Sequence, residues 1–97
     1  MNYFLTPEAE DELAEAVTFY AVEIGPNMAR SFLAKFEEKA QLLTEFPGIG
    51  TPTTKGHLLF PIGRYRYSML YRVEDGAVRI SAIAHHSRRP RYWHKRP

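Results

Sequence analysis

The side chains best equipped for chemistry are gathered at one end of the chain, in HHSRRPRYWHKRP, residues 85 to 97. Three histidines, five arginines or lysines, a tyrosine and a tryptophan stand there without an acid. Imidazoles and a phenol can move protons, and clustered cations can hold an anionic partner. Tyr92 beside Trp93 argues that the stretch is ordered, because aromatic residues are depleted where chains stay unfolded. The two rings are expected to pin the tail against the domain, with Arg88, Arg89, Arg91, Lys95 and Arg96 facing outward. His85 and His86 are adjacent, so on a strand they point to opposite faces and make poor co-ligands. A histidine at a strand end is more often a surface or capping residue than a catalyst.

Other catalytic and ligating patterns have little support. There is no cysteine, which removes thiolate zinc sites and disulfides. No Gly-rich phosphate loop and no Glu-x-x-His pair occurs, so neither a metal nor a cofactor is expected. The N-terminus lacks a basic region followed by an apolar stretch, and no apolar run reaches the length of a membrane span. A cytoplasmic protein with no membrane association is expected.

The charge is unevenly placed. Residues 1 to 50 carry nine acids against three bases, a net −6, while residues 51 to 97 carry ten bases against two acids, a net +8. An acidic half joined to a cationic half implies an anionic partner, with a merely solubilising surface as the plain alternative.

The elements that must position these cations follow from periodicity. At 97 residues the chain is one domain, 1–97, with a single modest core. NYFL reads as a short strand. TPEAEDE then announces a helix, with Thr6 as N-cap, Pro7 in the first turn and acids at the positive end of the dipole. Ala9, Leu13, Ala16, Val17, Tyr20 and Ile24 form one apolar stripe of 3.6-residue period, ended by Gly25-Pro26. Ala29, Phe32, Leu33, Phe36, Ala40 and Leu43 repeat the stripe, and Pro47-Gly48 stops it. Two amphipathic helices joined by a tight turn form a hairpin that needs a cover.

Beyond GIGTPTTKG the period becomes two. HLLFPI is a strand, with Pro61 marking an edge or bulge. RYRYSMLYRV alternates Tyr65, Tyr67, Met69, Tyr71 and Val73 against Arg64, Arg66, Ser68, Leu70 and Arg72. Asp75-Gly76 is a strong hairpin turn, and AVRISAIAHH returns. The turn fixes a register pairing Val73 with Val78, Tyr71 with Ile80, Met69 with Ala82 and Tyr67 with Ala84. The core is expected to hold Leu13, Val17, Tyr20, Phe32, Phe36, Leu43, Tyr67, Met69, Tyr71, Val78 and Ile80. On the other face the register sets Arg72 opposite Arg79 and Arg66 opposite His85. Facing like charges are destabilising, so an anion is expected between them. Leu70 and Ile83 share that face, giving it a mixed apolar and cationic character.

The order strand, two helices, three strands and a basic aromatic tail resembles the RelE/ParE superfamily of toxins from bacterial toxin–antitoxin operons. The resemblance rests on PEAEDELAEAVTFY, FPGIG, YSMLYRVEDGAVRISAIAHHSRRP and the closing YWHKR, and it spans nearly the whole chain. It implies an α+β fold in which an N-terminal strand, an antiparallel two-helix hairpin and a three-strand antiparallel meander form one small sheet. The helices lie on one face, and the tail (85–97) closes the chain.

The resemblance implies one of two activities. RelE-type members are ribosome-dependent messenger RNA endonucleases, whereas ParE-type members poison DNA gyrase. RelE-type enzymes place an arginine second in a YRLVY-like strand and lysines on the strand before. Here the stretch is YSMLY, with Ser68 at the arginine's position, and HLLFPI has no lysine. Arg88 does fall near a second RelE-type arginine, and His85, His86 or Tyr92 are available as acid or base, so a ribonuclease acting on ribosome-bound messenger is the alternative. The HxxRRP and YW endings favour the ParE-type reading, which is a toxin that inhibits growth, poisons gyrase and is neutralised by a cognate antitoxin. A non-toxic antitoxin-binding module is the third reading. On this basis Arg66, Arg72, Arg79, Arg88, Arg89, Arg91 and Arg96 are the expected target contacts. Leu70, Ile83, Arg72 and Arg79 are the expected antitoxin contacts.

Overall fold

Asn2–Leu5 forms strand β1, and Thr6 turns the chain straight into helix α1, Pro7–Glu23. The Thr6 hydroxyl accepts from the Ala9 amide at 3.2 Å, and Pro7 in the first turn gives up an N–H that had no partner there. Gly25, at φ 147°, separates α1 from α2, Pro26–Glu45. A 3-10 turn, Pro47–Ile49, leads to a two-residue strand β2, Thr51–Pro52, then β3, Leu58–Pro61, β4, Tyr67–Glu74, and β5, Ala77–His85. The computed structural model describes residues 1–87 and 92–97.

The strands form one sheet in the order β1-β5-β4-β3-β2. The helical hairpin and meander are as expected, but the sheet is mixed and has five strands. β1 runs parallel to β5, through Asn2↔Ala77 to Leu5↔Ile80, while the other pairs are antiparallel. β1 thus borders the last strand, with every other element between them in sequence. β2 is too short to show a period, and it covers β3 only at Leu58 and Leu59.

The Asp75-Gly76 turn is of the mirror-image type that fits twisted hairpins, with φ of 51° and 75°. It sets Glu74↔Ala77, Val73↔Val78, Arg72↔Arg79 and Tyr71↔Ile80, as read from the sequence. Past that point the register differs. A bulge skips Ser81, so Leu70 pairs with Ala82, Met69 with Ile83, Ser68 with Ala84 and Tyr67 with His85. Met69 therefore does not meet Ala82, Tyr67 does not meet Ala84, and Arg66 is not opposite His85. One unpaired residue shifts the pleat by one, and Ile83 swings from the outer face into the core.

Between helices and sheet the core holds Tyr20, Phe32, Phe36, Leu43, Met69, Tyr71, Val78 and Ile80, with Leu13, Val17 and Tyr67 packed at its margin. Ile62 and Ile83 join them, and the alanines Ala9, Ala16, Ala29 and Ala40 let the helices approach closely. Ile24, 58% exposed, and Val73, 45% exposed, continue their periodic stripes past the edge of the core.

Tyr71 also anchors the loop after α2. Its hydroxyl donates to the Pro47 carbonyl at 2.7 Å and accepts the Gly50 amide at 3.0 Å. A Cβ on Gly50 would stand 2.6 Å from that hydroxyl, which is why FPGIG closes on a glycine.

Candidate functional site

β1 covers β5 only as far as Ile80, so the rest of that edge needs other partners for its backbone. Thr6 begins the cover, its amide donating to the Ile80 carbonyl at 3.0 Å. One turn into α1, Glu12 continues it. Its carboxylate, 8% exposed as a residue, accepts the Ile83 amide at 3.1 Å. The same carboxylate accepts the Tyr92 hydroxyl at 2.6 Å and two guanidinium N–H groups of Arg96, at 2.7 and 3.1 Å. Tyr92 further donates to the Ile83 carbonyl, and Arg96 to the Ser81 carbonyl at 3.1 Å. The hydrogen bond and charge of Glu12 hold the Arg96 guanidinium even more firmly protonated than usual, against the opposing effect of burial.

The tail is thus latched to the domain through a buried charge. Tyr92 packs against the domain as expected, but Arg96, expected to face outward, turns inward to Glu12, an acid that the sequence pattern did not single out. The clue was present: Glu12 is three residues after Ala9 and four before Ala16, on the apolar stripe, where an unpaired acid is costly. The Arg96 guanidinium sits 5.2 Å from the centre of the Tyr92 ring, and the rings of Tyr92 and Trp93 meet edge-on at 5.3 Å. At the far end the Pro97 carbonyl lies 3.0 Å from His57 Nε2. His57 precedes the core-packed Leu58, so it faces away from the helices. Arg96 and Pro97 also border a small pocket with Thr6, Pro7, Glu8, Arg79 and Ser81.

This changes the character of the expected surface. Leu70 and Ile83 are buried, 0% and 2% exposed, and Ile83 belongs to the core between helices and sheet. They do not form a shared apolar patch. Arg72 and Arg79 do stand opposite each other, and the anion between them belongs to the chain itself. Glu74 lies 3.2 Å from Arg79 Nη1 and 4.0 Å from Arg72 Nε. Arg66 is exposed and makes no ion pair among the described residues. Of the tail cations, Arg96 is held by Glu12, while Arg88, Arg89 and Arg91 lie outside the described residues.

The acid–base candidates are dispersed. His85 packs edge-on against Tyr67, ring centres 4.9 Å apart, on the side of the helices. Burial, then the neighbouring His86 and Arg66, push its pKa below the usual histidine value. His86 turns to the other face, where its Nε2 meets the Ser68 hydroxyl at 2.9 Å. Ser68, at the position where RelE-type strands carry arginine, is buried. The Tyr92 hydroxyl is engaged by Glu12 and Ile83. The two histidines and the tyrosine therefore do not converge on one point. Among the described residues, no helix is long and apolar enough to cross a membrane.

Comparison with known proteins completes the description. The family model for the ParE toxin of type II toxin–antitoxin systems, parDE, matches residues 3–90. A solved structure described as the chromosomal ParDE TA system from P. aeruginosa superposes with a TM-score of 0.76. It shares 24% identity over 88% of this chain and 95% of that one, a likeness of fold. A search of curated proteins gives no match.

Proposed function

The chain belongs to the ParE toxin family of type II toxin–antitoxin systems, and from that premise we propose that it inhibits growth by poisoning DNA gyrase. The family implies a cognate ParD antitoxin as partner. The observation that carries the gyrase reading is the environment of Ser68. A strand position that a RelE-type nuclease fills with arginine holds a buried hydroxyl bonded to His86. Cleavage of RNA at its 2′-hydroxyl needs a base, an acid and a cation around one phosphate, and the candidates His85, His86 and Tyr92 are spread over two faces and an occupied hydrogen bond.

A poison that acts by binding spreads its energy over many contacts instead. Arg66, Arg88, Arg89 and Arg91 are our proposed target contacts, with Arg72 and Arg79 available at the cost of their shared Glu74 and Arg96 at the cost of its pair with Glu12. The deciding experiment induces the protein in cells and compares two products, gyrase-linked double-strand breaks and cuts in ribosome-bound messenger. Breaks that vanish in a gyrase-resistant strain support the proposal. Messenger cuts that disappear on His85→Ala or His86→Ala overturn it in favour of the ribonuclease. Growth inhibition with neither product eliminates both, and a harmless protein that still binds an antitoxin leaves the binding-module reading.

A further inference from the structure

A cleft of about 840 Å³ opens between the helical hairpin and the connection from β3 to β4. Its lining is sorted along its length. At the α1–α2 turn it is walled by Phe19, Ile24 and Met28, which are 47%, 58% and 37% exposed. Further along come Lys35 and Lys39 from α2, with Arg64 and Arg66 from the connection. Lys39 is eleven residues past Met28 in α2, so at 1.5 Å per residue the apolar and cationic ends stand about 16 Å apart.

The charge at the far end is not balanced. Lys35 and Lys39 share one acid, Glu38, at 3.2 and 3.4 Å. Arg64 and Arg66 have no ion pair among the described residues, and no acid among those residues lines the cleft. Four cations against one carboxylate leave a net of three positive charges. His85 is also in the wall, and burial, His86 and Arg66 hold it below the usual histidine pKa. The wall is firm where these groups meet. Gly63, at φ 56°, lies so close to the stem of Lys35 that a Cβ there would stand 2.9 Å from its Cγ. The Tyr20 hydroxyl hydrogen-bonds the Arg66 backbone, and Tyr65 packs edge-on against Tyr20 and Phe32, at 5.5 and 5.2 Å.

Such a cleft suits a small ligand with a flat apolar body and several negative charges. A fatty acid brings one charge and leaves most of the cationic end bare. A free polyphosphate matches the cations and offers nothing to Phe19, Ile24 and Met28. A nucleotide with two or three phosphates meets both ends, its base stacking on Phe19 and its phosphate oxygens accepting paired N–H groups from arginine. The volume is within the usual range of small-molecule sites, about 300–1,000 Å³. We propose that this cleft binds a nucleoside polyphosphate, with the base on Phe19, Ile24 and Met28 and the phosphates on Lys35, Arg64 and Arg66. It needs no Gly-rich loop, because side chains rather than backbone amides supply the charge. The inference goes beyond the gyrase reading and shares only Arg66 with it. A bound nucleotide withdraws that arginine from the target.

The test is calorimetry with magnesium-free adenosine triphosphate (ATP), with tripolyphosphate and dodecyl phosphate as controls. ATP should bind at least about tenfold more tightly than either control. Arg64→Glu should weaken ATP about tenfold, the scale of a lost charge contact. Phe19→Ser should weaken it by a similar factor, the scale of one lost base stack, without changing the affinity for tripolyphosphate. Arg72→Glu, on the outer face of the sheet, should leave ATP binding unchanged, and circular dichroism should confirm that every variant folds. Nuclear magnetic resonance of the imidazoles adds a readout that a merely structural role would not move. Saturation with ATP should raise the His85 pKa, because phosphate charge offsets Arg66 and His86. Absence of ATP binding overturns the proposal. Equal or tighter binding of tripolyphosphate overturns it in favour of a plain cationic patch, and of dodecyl phosphate in favour of a groove for any amphiphile. ATP binding that ignores both Arg64→Glu and Phe19→Ser, or leaves His85 unmoved, also overturns it. Gyrase-linked breaks in cells bear on the proposed function alone: their absence refutes the gyrase reading and leaves the calorimetry standing, and failure of ATP to bind leaves the gyrase reading untouched.

Discussion

Replacing Glu12 tests the latch most directly. Glu12→Gln keeps the shape and one acceptor oxygen, while Glu12→Ala removes the acceptor altogether. In the alanine variant the Ile83 amide, the Tyr92 hydroxyl and the Arg96 guanidinium lose their common partner. Breaking a buried ion pair by removing one member costs about 3–5 kcal/mol. Arg96 is 23% exposed as a side chain, so it can turn to water, which places the expected loss at about 3 kcal/mol. Glu12→Gln should cost about 1–2 kcal/mol, since a neutral acceptor is roughly half as strong toward a guanidinium. Arg96→Ala should cost about 2 kcal/mol, and the double variant should show a coupling of at least about 1 kcal/mol. Urea unfolding followed by circular dichroism and by the single tryptophan gives two readings of the same chain. Because Trp93 is in the tail, its transition in Glu12→Ala should precede the loss of helix. Glu12→Ala within about 0.5 kcal/mol of the parent, with coincident transitions, would refute the latch.

Tyr71→Phe should lose about 1–3 kcal/mol, because the buried Gly50 amide and the Pro47 carbonyl both lose a partner; chemical denaturation measures it. Gly50→Ala should be worse in the parent than in Tyr71→Phe, where the hydroxyl it meets is gone. Phe36→Ala should cost about 3–5 kcal/mol by the same assay. The depressed pKa of His85 predicts a pH dependence. Above its ordinary value of 6.5 it is neutral folded and unfolded, so its contribution is flat. Below 6.5 the unfolded chain takes up the proton first, and stability should fall until the folded-state pKa is passed; His85→Gln should remove that slope. Reversing the charge of Arg88, Arg89 and Arg91 together should abolish growth inhibition, whereas His85→Ala and His86→Ala singly should weaken it only modestly.

Much of the architecture was legible because local chemistry announces it. Thr6-Pro7 and Gly25-Pro26 mark helix ends by backbone rules that need no tertiary partner, and Asp75-Gly76 can take the positive φ its turn demands. The same turn gives the register of the four residue pairs next to it. The bulge at Ser81 was not legible, since an extra residue in an alternating strand is invisible until the opposite strand is laid beside it. The parallel β1–β5 pairing joins residues more than seventy positions apart, and β2 is too short for any pattern. For the site, the cations were evident and their neutralisation was not. Alternation places Arg72 beside Arg79, but only the fold shows Glu74 between them. The cleft combines a helix turn, a strand connection and the end of β5, three segments whose exposed residues look incidental one at a time.

The Glu12 latch also has a meaning for synthesis. Its partners Tyr92 and Arg96 are added 80 and 84 residues later. Without those last residues the Glu12 carboxylate would keep the Ile83 amide as a donor but lose the Tyr92 hydroxyl and the Arg96 guanidinium. A message cut short before those codons yields a chain that keeps the charge and lacks its counterpart. Such a product has a weakened edge built into it and is open to the proteases that clear unfinished chains. For a protein read as a growth inhibitor, the expected consequence is that chains translated through Arg96 outlast those that stop short of it.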